Sequence, residues 1–340
     1  MRRALFVMLS ILALSFSSCA TNATQTAAPD TAQDAEVTSQ ITAYTIVTST
    51  SILGDITQQI VGESAVVTSL VGAESDAHVY EPSPADGVQM ANASAVVAFG
   101  LELEPWFEEL YASSGSKAPY IEASADITPL PVNKSVDDHA DEHADESADA
   151  HADEHGHGEF DPHTWQDVQN VIKMVKHITT ELSTIMPEHA ATLESNASAY
   201  IATLNALDSE IAAQMAQIPA ERRILVTNHD TMSYFATRYG LTVVGTVLGS
   251  VSTESSDPGA NKIIELVTTI KESGAPAIFI EAFGNEDLVE TIAREAGVIV
   301  APALYTDALG KSGSAGQTYV DMMRYNSQTI YQALGETSGQ

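Results

Sequence analysis

The chain is expected to adopt an α/β fold, two βα lobes with parallel sheets joined by one long inter-lobe α-helix. Three observations predict it. Short β-rich apolar runs alternate with helical patterns, the order that favours parallel strands and crossover helices. The alternation occurs twice, in stretches assigned to lobes at 42–186 and 220–340. Between them, Glu188 to Ile218 has no glycine and repeats Ile201, Leu204, Leu207, Ile211 and Met215 at helical spacing. This predicts a connecting helix within 187–219, with Pro187 in its first turn, where a missing N–H costs nothing.

The amino terminus reads as an export signal over residues 1–18. Met1, Arg2 and Arg3 precede an apolar run from Ala4 to Phe16, then Ser17 and Ser18 before Cys19. That run is too short for a stable membrane span. Cys19 is the only cysteine, so no internal disulfide is available, and its position resembles the lipobox at which bacterial lipoproteins are cleaved and acylated. Residues 19–41 are rich in Thr, Ala, Gln, Ser and Asp. They bury too little apolar surface to offset their ordering entropy, and read as a lipid-anchored flexible tether.

In the first lobe the expected strands are Tyr44 to Thr48, Val66 to Val71, Ala95 to Phe99 and Ala118 to Glu122. Helices are expected around Ser51 to Ile60, Ala85 to Ala91 and Pro105 to Ala112, and a further one over Gln166 to Ile185. In the second lobe the strands are Arg223 to Val226, Leu241 to Val247, Ala277 to Glu281 and Val298 to Pro302. Its helices are Thr231 to Tyr239, Asn261 to Ser273, Glu286 to Ala296 and Tyr319 to Ala333.

The formal charge of -32 argues against nucleic acid or an anionic membrane surface as partner, and suits the attraction of cations. Residues 137–159 form a low-complexity insertion of imperfect His-Ala-Asp-Glu units with His139, His143, His151, His155 and His157. Mutually repelling carboxylates and the lack of large apolar side chains make this a loop and not core. Imidazoles among carboxylates suit auxiliary capture of zinc, nickel or copper.

Five histidines lie outside that loop. His177 and His189 fall within helical segments among polar neighbours and read as solvated. His78, His163 and His229 sit at junctions between elements: His78 and His229 after strands, His163 before a helix. Ligands of open α/β sheets bind at the carboxyl ends of strands, so these three can converge in the cleft between lobes. Asp307, after the last strand, is placed to be a fourth ligand. Glu281, ending Ala277 to Ile280, is near enough to orient a histidine, to substitute for Asp307, or to form a salt bridge. Trp106 and Trp165 are expected to pack, and Tyr80, Glu81 and Pro82 to shape the loop holding His78. The chain lacks HExxH and any evident nucleophile-and-base constellation, and four protein ligands close a metal shell. Both features disfavour a zinc hydrolase, which keeps a position open for water.

Five segments in order carry a specific resemblance: HVYEPSPAD from His78, GLELEPW from Gly100, DPHTW from Asp161, NHDTMSYFATRYGL from Asn228 and LYTDALG from Leu304. Together with the His-rich loop before DPHTW, they resemble the metal-specific solute-binding proteins of ABC transporters, in particular the zinc-binding branch. The resemblance implies metal held between two lobes by His78, His163, His229 and Asp307. It also implies an ABC permease with its cytoplasmic ATPase as partner, and a monomer outside the cell membrane or in the periplasm. Three imidazoles and one carboxylate suit tetrahedral Zn²⁺ better than Mn²⁺, and manganese-binding members of the family generally carry a carboxylate at the third position. The alternatives are a manganese-binding member of the same family, or a surface lipoprotein for metal buffering or adhesion. The sequence departs from the family pattern at Asn228 and Gln166 and lacks a cysteine pair in the second lobe; none of these is a proposed ligand.

Overall fold

The computed structural model describes residues 44–132, 158–253, 258–281 and 285–335. Cys19 and the five loop histidines lie outside the described residues, as do the segments assigned to the signal and the tether. In the first lobe, β1 (Tyr44–Thr50), β2 (Ala65–Val71), β3 (Ala95–Ala98) and β4 (Tyr120–Glu122) form one parallel sheet in the order β2-β1-β3-β4. Side chains alternate across it, as period-2 strands require. Ile46, Val97 and Phe99 face one apolar cluster, Val47, Val96 and Ala98 another. Both faces of the sheet are therefore covered, which is why these strands read as continuous apolar runs.

The crossover helices are α1 (Ser51–Val61), α2 (Pro84–Ala91) and α3 (Pro105–Ser114). Thr50 caps α1, accepting from the Leu53 N–H, and Ser83 with Asp86 forms a capping box that starts α2 at Pro84. The helix expected from Gln166 begins two residues later as α4 (Val168–Ile185), since Thr164–Gln166 makes a 3₁₀ turn and Asp167 supplies the cap. The long helix α5 (Ala190–Met215) starts after a second 3₁₀ turn, Pro187–His189. The sequence pattern could not separate these tight turns from the helices they lead into.

The second lobe contains β5 (Ile224–Thr227), α6 (Ser233–Tyr239), β6 (Thr242–Thr246), α7 (Ala260–Ser273), β7 (Ala277–Glu281), α8 (Glu286–Ala296), β8 (Ile299–Leu304) and α9 (Tyr319–Gly335). Its strands form two parallel ladders, β5-β6 and β7-β8, with β5 lying beside β7. Alternation holds again: Leu225, Ala277 and Phe279 face the large cluster, while Val226, Ile278 and Ile280 face a second one. In β7-β8, Phe279 pairs with Ala301 but Glu281 with Leu304, so β8 carries one extra residue around Pro302. A proline has no N–H for the ladder, and bulges tolerate it.

α5 packs against α1 and α4 on the first lobe and α6 and α9 on the second. One apolar cluster runs from Ile46 through Leu204 and Ile211 to Ile330, so the lobes share a core behind the cleft. A polar knot pins the same helix. Asp208 of α5 accepts from Gln169 Nε2 at 3.0 Å, from Arg238 Nε and Nη2 at 3.0 and 2.5 Å, and from the Tyr239 hydroxyl at 3.1 Å. Asp208→Ala strands the buried Tyr239 hydroxyl and loosens Arg238, which is partly exposed and can reach water. We expect a loss of about 2 kcal/mol in urea unfolding. A loss below about 0.5 kcal/mol would show that the knot adds no stability.

Candidate metal centre

His78, His163, His229 and Asp307 each offer one atom to a common point, all four within 4.8 Å of one another, and all four residues are buried. His163 and His229 are fully buried, whereas His78 is 8% exposed and stands nearest solvent. His163 Nε2 lies 3.4 Å from His78 Nε2 and 3.6 Å from Asp307 Oδ1, and His229 Nε2 lies 3.2 Å from Asp307 Oδ2. Adjacent donors around a tetrahedral ion with bonds of about 2.05 Å are about 3.3 Å apart. Asp307 Oδ1 is buried without a hydrogen bond. The donors therefore fit one small cation.

Each ring is aimed by its surroundings. His163 Nδ1 is 2.8 Å from Asp161 Oδ1, which also accepts the His163 backbone N–H. With the proton at Nδ1, the Nε2 lone pair faces the centre. At His229 the neighbour is again a carboxylate, with Nδ1 in an ion-pair contact 2.5 Å from Glu281 Oε2. Glu281 Oε1 accepts the backbone N–H groups of Asn228 and His229, and the Thr306 hydroxyl donates to Oε2. The His78 N–H donates to Asp76 Oδ1, and Asp76 Oδ2 accepts from the Thr253 hydroxyl of the other lobe. Trp165 Nε1 donates to the Thr306 carbonyl and holds the loop that carries Asp307.

Residues 46–333 match the sequence model of the family described as the periplasmic zinc-uptake complex component A. The chain belongs to this family. Members of the zinc-uptake family are extracytoplasmic solute-binding proteins, not enzymes. Among the relatives, the manganese-binding lipoprotein MntA of Halalkalibacterium halodurans is 34% identical over 291 residues, 86% of this chain and 88% of its own length. MntA of Bacillus subtilis is 31% identical over 340 residues, 98% of this chain and all of its own length. In structure, the periplasmic zinc-binding protein TroA from Treponema pallidum matches with a TM-score of 0.73 and 29% identity, over 86% of this chain and all of that one. A periplasmic metal-binding protein of Candidatus Liberibacter asiaticus shares the fold, at 24% identity and a TM-score of 0.73. Among the described residues, no helix is long and apolar enough to cross a membrane.

For this member of the zinc-uptake family, the charges set a competition between metal and proton. Burial alone would lower the His229 pKa, but Glu281 and Asp307 on either side raise it well above its ordinary value. Burial alone would raise the Asp307 pKa, yet His229 first, then His163 and His78, hold it below the usual carboxylate range. The two carboxylates thus favour the protonated form of His229 in the metal-free centre, and an incoming cation competes with that proton. A raised histidine pKa stabilises the empty, protonated state as pH falls, so acid favours release. We expect log K for metal to climb by about one per pH unit from mildly acidic to neutral pH, with about one proton released. Titration calorimetry in buffers of different ionisation enthalpy checks this; a pH-independent affinity would contradict the protonated His229.

The other histidines of this family member lie away from the centre: the His177 ring is 3.5 Å from Asp126, and His189 meets Tyr44 edge-on. Trp106 does more than pack, because Nε1 donates to the Ala77 carbonyl and fixes the His78 loop. Asp76 and Asp161 were missed by sequence reasoning. Their signal was present: each stands two residues before a converging histidine, in Asp76-Ala77-His78 and Asp161-Pro162-His163, and accepts that histidine's N–H.

Proposed function

We propose that the protein captures Zn²⁺ outside the cell membrane and delivers it to an ABC-type permease driven by a cytoplasmic ATPase. The reading rests on one observation, the convergence of three imidazoles and one carboxylate in a buried cluster whose ligand atoms lie within 4.8 Å of one another. His78, His163, His229 and Asp307 are the ligands, and Glu281 holds His229 in its working orientation. A shell of four protein ligands suits carriage, since it leaves no position for a reactive water. His78, at the edge of the centre, is where the ion enters. Residues 1–18 direct export, Cys19 carries the lipid anchor, 19–41 form the tether, and α5 lies within the 187–219 connection between lobes 42–186 and 220–340. His139, His143, His151, His155 and His157 gather the ion at low concentration, and the protein acts as a monomer.

A manganese reading has its own support, because MntA of two bacilli is named for manganese and is 31–34% identical. The donor set favours zinc: softer imidazole suits it, while Mn²⁺ prefers more oxygen ligands. Competitive titration with both metals, on the chain with and without 137–159, decides between them. One tight zinc equivalent that survives removal of the loop supports zinc; tighter manganese would replace it. The transport reading is tested in the cell: deleting the gene should abolish growth under zinc limitation and added zinc should restore it, whereas unchanged uptake would point to buffering or adhesion.

A further inference from the structure

The loop that carries His78 runs from the end of β2 to the cap of α2, and β2 is an edge strand of its sheet, with a neighbouring strand on one side only. Support for this loop also comes from the second lobe. The Glu74 N–H donates to the Leu309 carbonyl at 2.9 Å, the Lys311 ammonium pairs with the Glu74 carboxylate, and the Thr253 hydroxyl donates to Asp76 Oδ2 at 2.7 Å. The other Asp76 oxygen, Oδ1, accepts the His78 N–H at 2.9 Å, so a single carboxylate joins Thr253 to His78. Glu74 has φ 53°, in the left-handed region that a residue with a side chain seldom adopts. Such a conformation persists where its surroundings impose it, and the contacts at Glu74 come from across the cleft.

These contacts land beside the ligands of the second lobe. Leu309 stands two residues beyond Asp307. Thr253 ends a segment pinned to the His229 loop, because the Leu248 N–H donates to the Asn228 carbonyl and the Asp230 N–H to the Ser250 carbonyl, each at 2.8 Å. The contacts also meet water: Asp76 and Thr253 are half-buried, and Glu74 and Lys311 are exposed. On the His163 side the cross-lobe bonds are buried, from the Tyr234 hydroxyl to the Asp161 carbonyl at 2.9 Å and from Trp165 Nε1 to the Thr306 carbonyl at 2.8 Å. Hydrogen bonds open to solvent break more readily than those in a core, and His78 is the ligand nearest solvent.

We infer that Asp76 and Thr253 are positioning residues for metal retention: their bond ties the His78 loop to the segment braced on His229, and sets how long the ion stays. The inference rests on reading the centre as a carrier site for Zn²⁺. With the bond made, the His78 backbone is held from both lobes, by Trp106 through the Ala77 carbonyl on its own side and by Thr253 through Asp76 on the other. With the bond broken, Asp76 turns to water and His78 is the first ligand to let go. His163 and His229 keep the carboxylates that brace them, Asp161 and Glu281. Arrival of an ion is governed by encounter and departure by how often a ligand lets go, so the bond acts on release far more than on capture.

The test is stopped-flow release of Zn²⁺ into excess chelator from the full chain loaded with one equivalent, with capture rates measured separately, for the parent, Thr253→Val, Thr253→Ser and Lys311→Ala. Valine keeps the shape of threonine without its hydroxyl, at a half-buried position where Asp76 can reach water, so the variant folds. It should release the ion about tenfold faster, with capture within about twofold of the parent. Thr253→Ser keeps the hydroxyl, and Lys311→Ala removes only an exposed ion pair; both should release within about twofold of the parent. Hydrogen exchange of the Glu74 N–H in the loaded protein reads the cross-lobe contact itself, and should quicken in Thr253→Val but not in Thr253→Ser. A serine variant that behaves like the valine one assigns the effect to packing and overturns the proposal, as does capture slowed as much as release is quickened. If Lys311→Ala quickens release as much as Thr253→Val, the hold is ionic and the assignment to Asp76 and Thr253 falls. A parent that takes up no tight zinc overturns the carrier reading and the inference with it, whereas tight zinc released from Thr253→Val at the parent rate overturns the inference alone.

Discussion

His229→Ala is expected to raise the Kd for the tight metal equivalent by about a thousandfold. Four-ligand zinc sites bind with about 10–16 kcal/mol, so each ligand carries roughly 2.5–4 kcal/mol, or two to three decades of affinity. The upper end applies here, because the substitution does more than delete a donor. Glu281 Oε2 sits 2.5 Å from His229 Nδ1 at 3% exposure, and removing the ring leaves that carboxylate buried without its main partner. Asp307 loses a neighbour as well, since His229 is the strongest of the three imidazoles that keep it ionised. Competitive titration against a chelator of known affinity reads the change, and circular dichroism shows whether the variant is folded. A folded variant within about tenfold of the parent would mean that the four atoms do not act as one shell.

How much of this could be read in the sequence differs between backbone and site. The strands and helices were legible because both faces of each sheet are covered and period 2 or 3.6 writes itself into the apolar pattern, as in Ile46-Val47 or Ala277 to Ile280. His78, His163, His229 and Asp307 stood out because polar residues at strand-to-helix junctions have no packing role to explain them, and the structure brings all four together. What stayed hidden depends on tertiary distance. Nothing local to Asp208 announces that it meets Gln169, Arg238 and Tyr239, and although Glu281 was placed near the histidines, nothing local to it announces that one of its oxygens takes the backbone N–H groups of Asn228 and His229. The bulge at Pro302 was equally silent, although it sets the register at which Glu281 meets Leu304 and the chain turns toward Asp307.

Two substitutions at Glu281 should separate its holding of the backbone from its holding of the ring. Glu281→Ala removes the acceptor for the Asn228 and His229 N–H groups, 2.9 and 3.0 Å from Oε1, and for the Thr306 hydroxyl, 3.2 Å from Oε2. With those donors and His229 Nδ1 unpaired in a buried place, we expect a loss of about 3–5 kcal/mol in unfolding. Glu281→Gln is the sharper test. Its amide oxygen can take the place of Oε1 and keep both backbone bonds, which puts the NH₂ group against His229 Nδ1. An NH₂ there favours the tautomer with the proton on Nε2, so the nitrogen that faces Asp307 no longer offers a lone pair to the metal. Stability should then change by about 1 kcal/mol while metal affinity falls about 10–100-fold. Proton competition works in the opposite direction, since losing the Glu281 charge lowers the His229 pKa. The comparison therefore belongs at a pH above the range in which metal affinity still climbs with pH in either protein. If Glu281→Gln there kept its affinity within about twofold, Glu281 would be a brace for the loop and nothing more, and the direction of the His229 lone pair would have to be set by Asp307 alone.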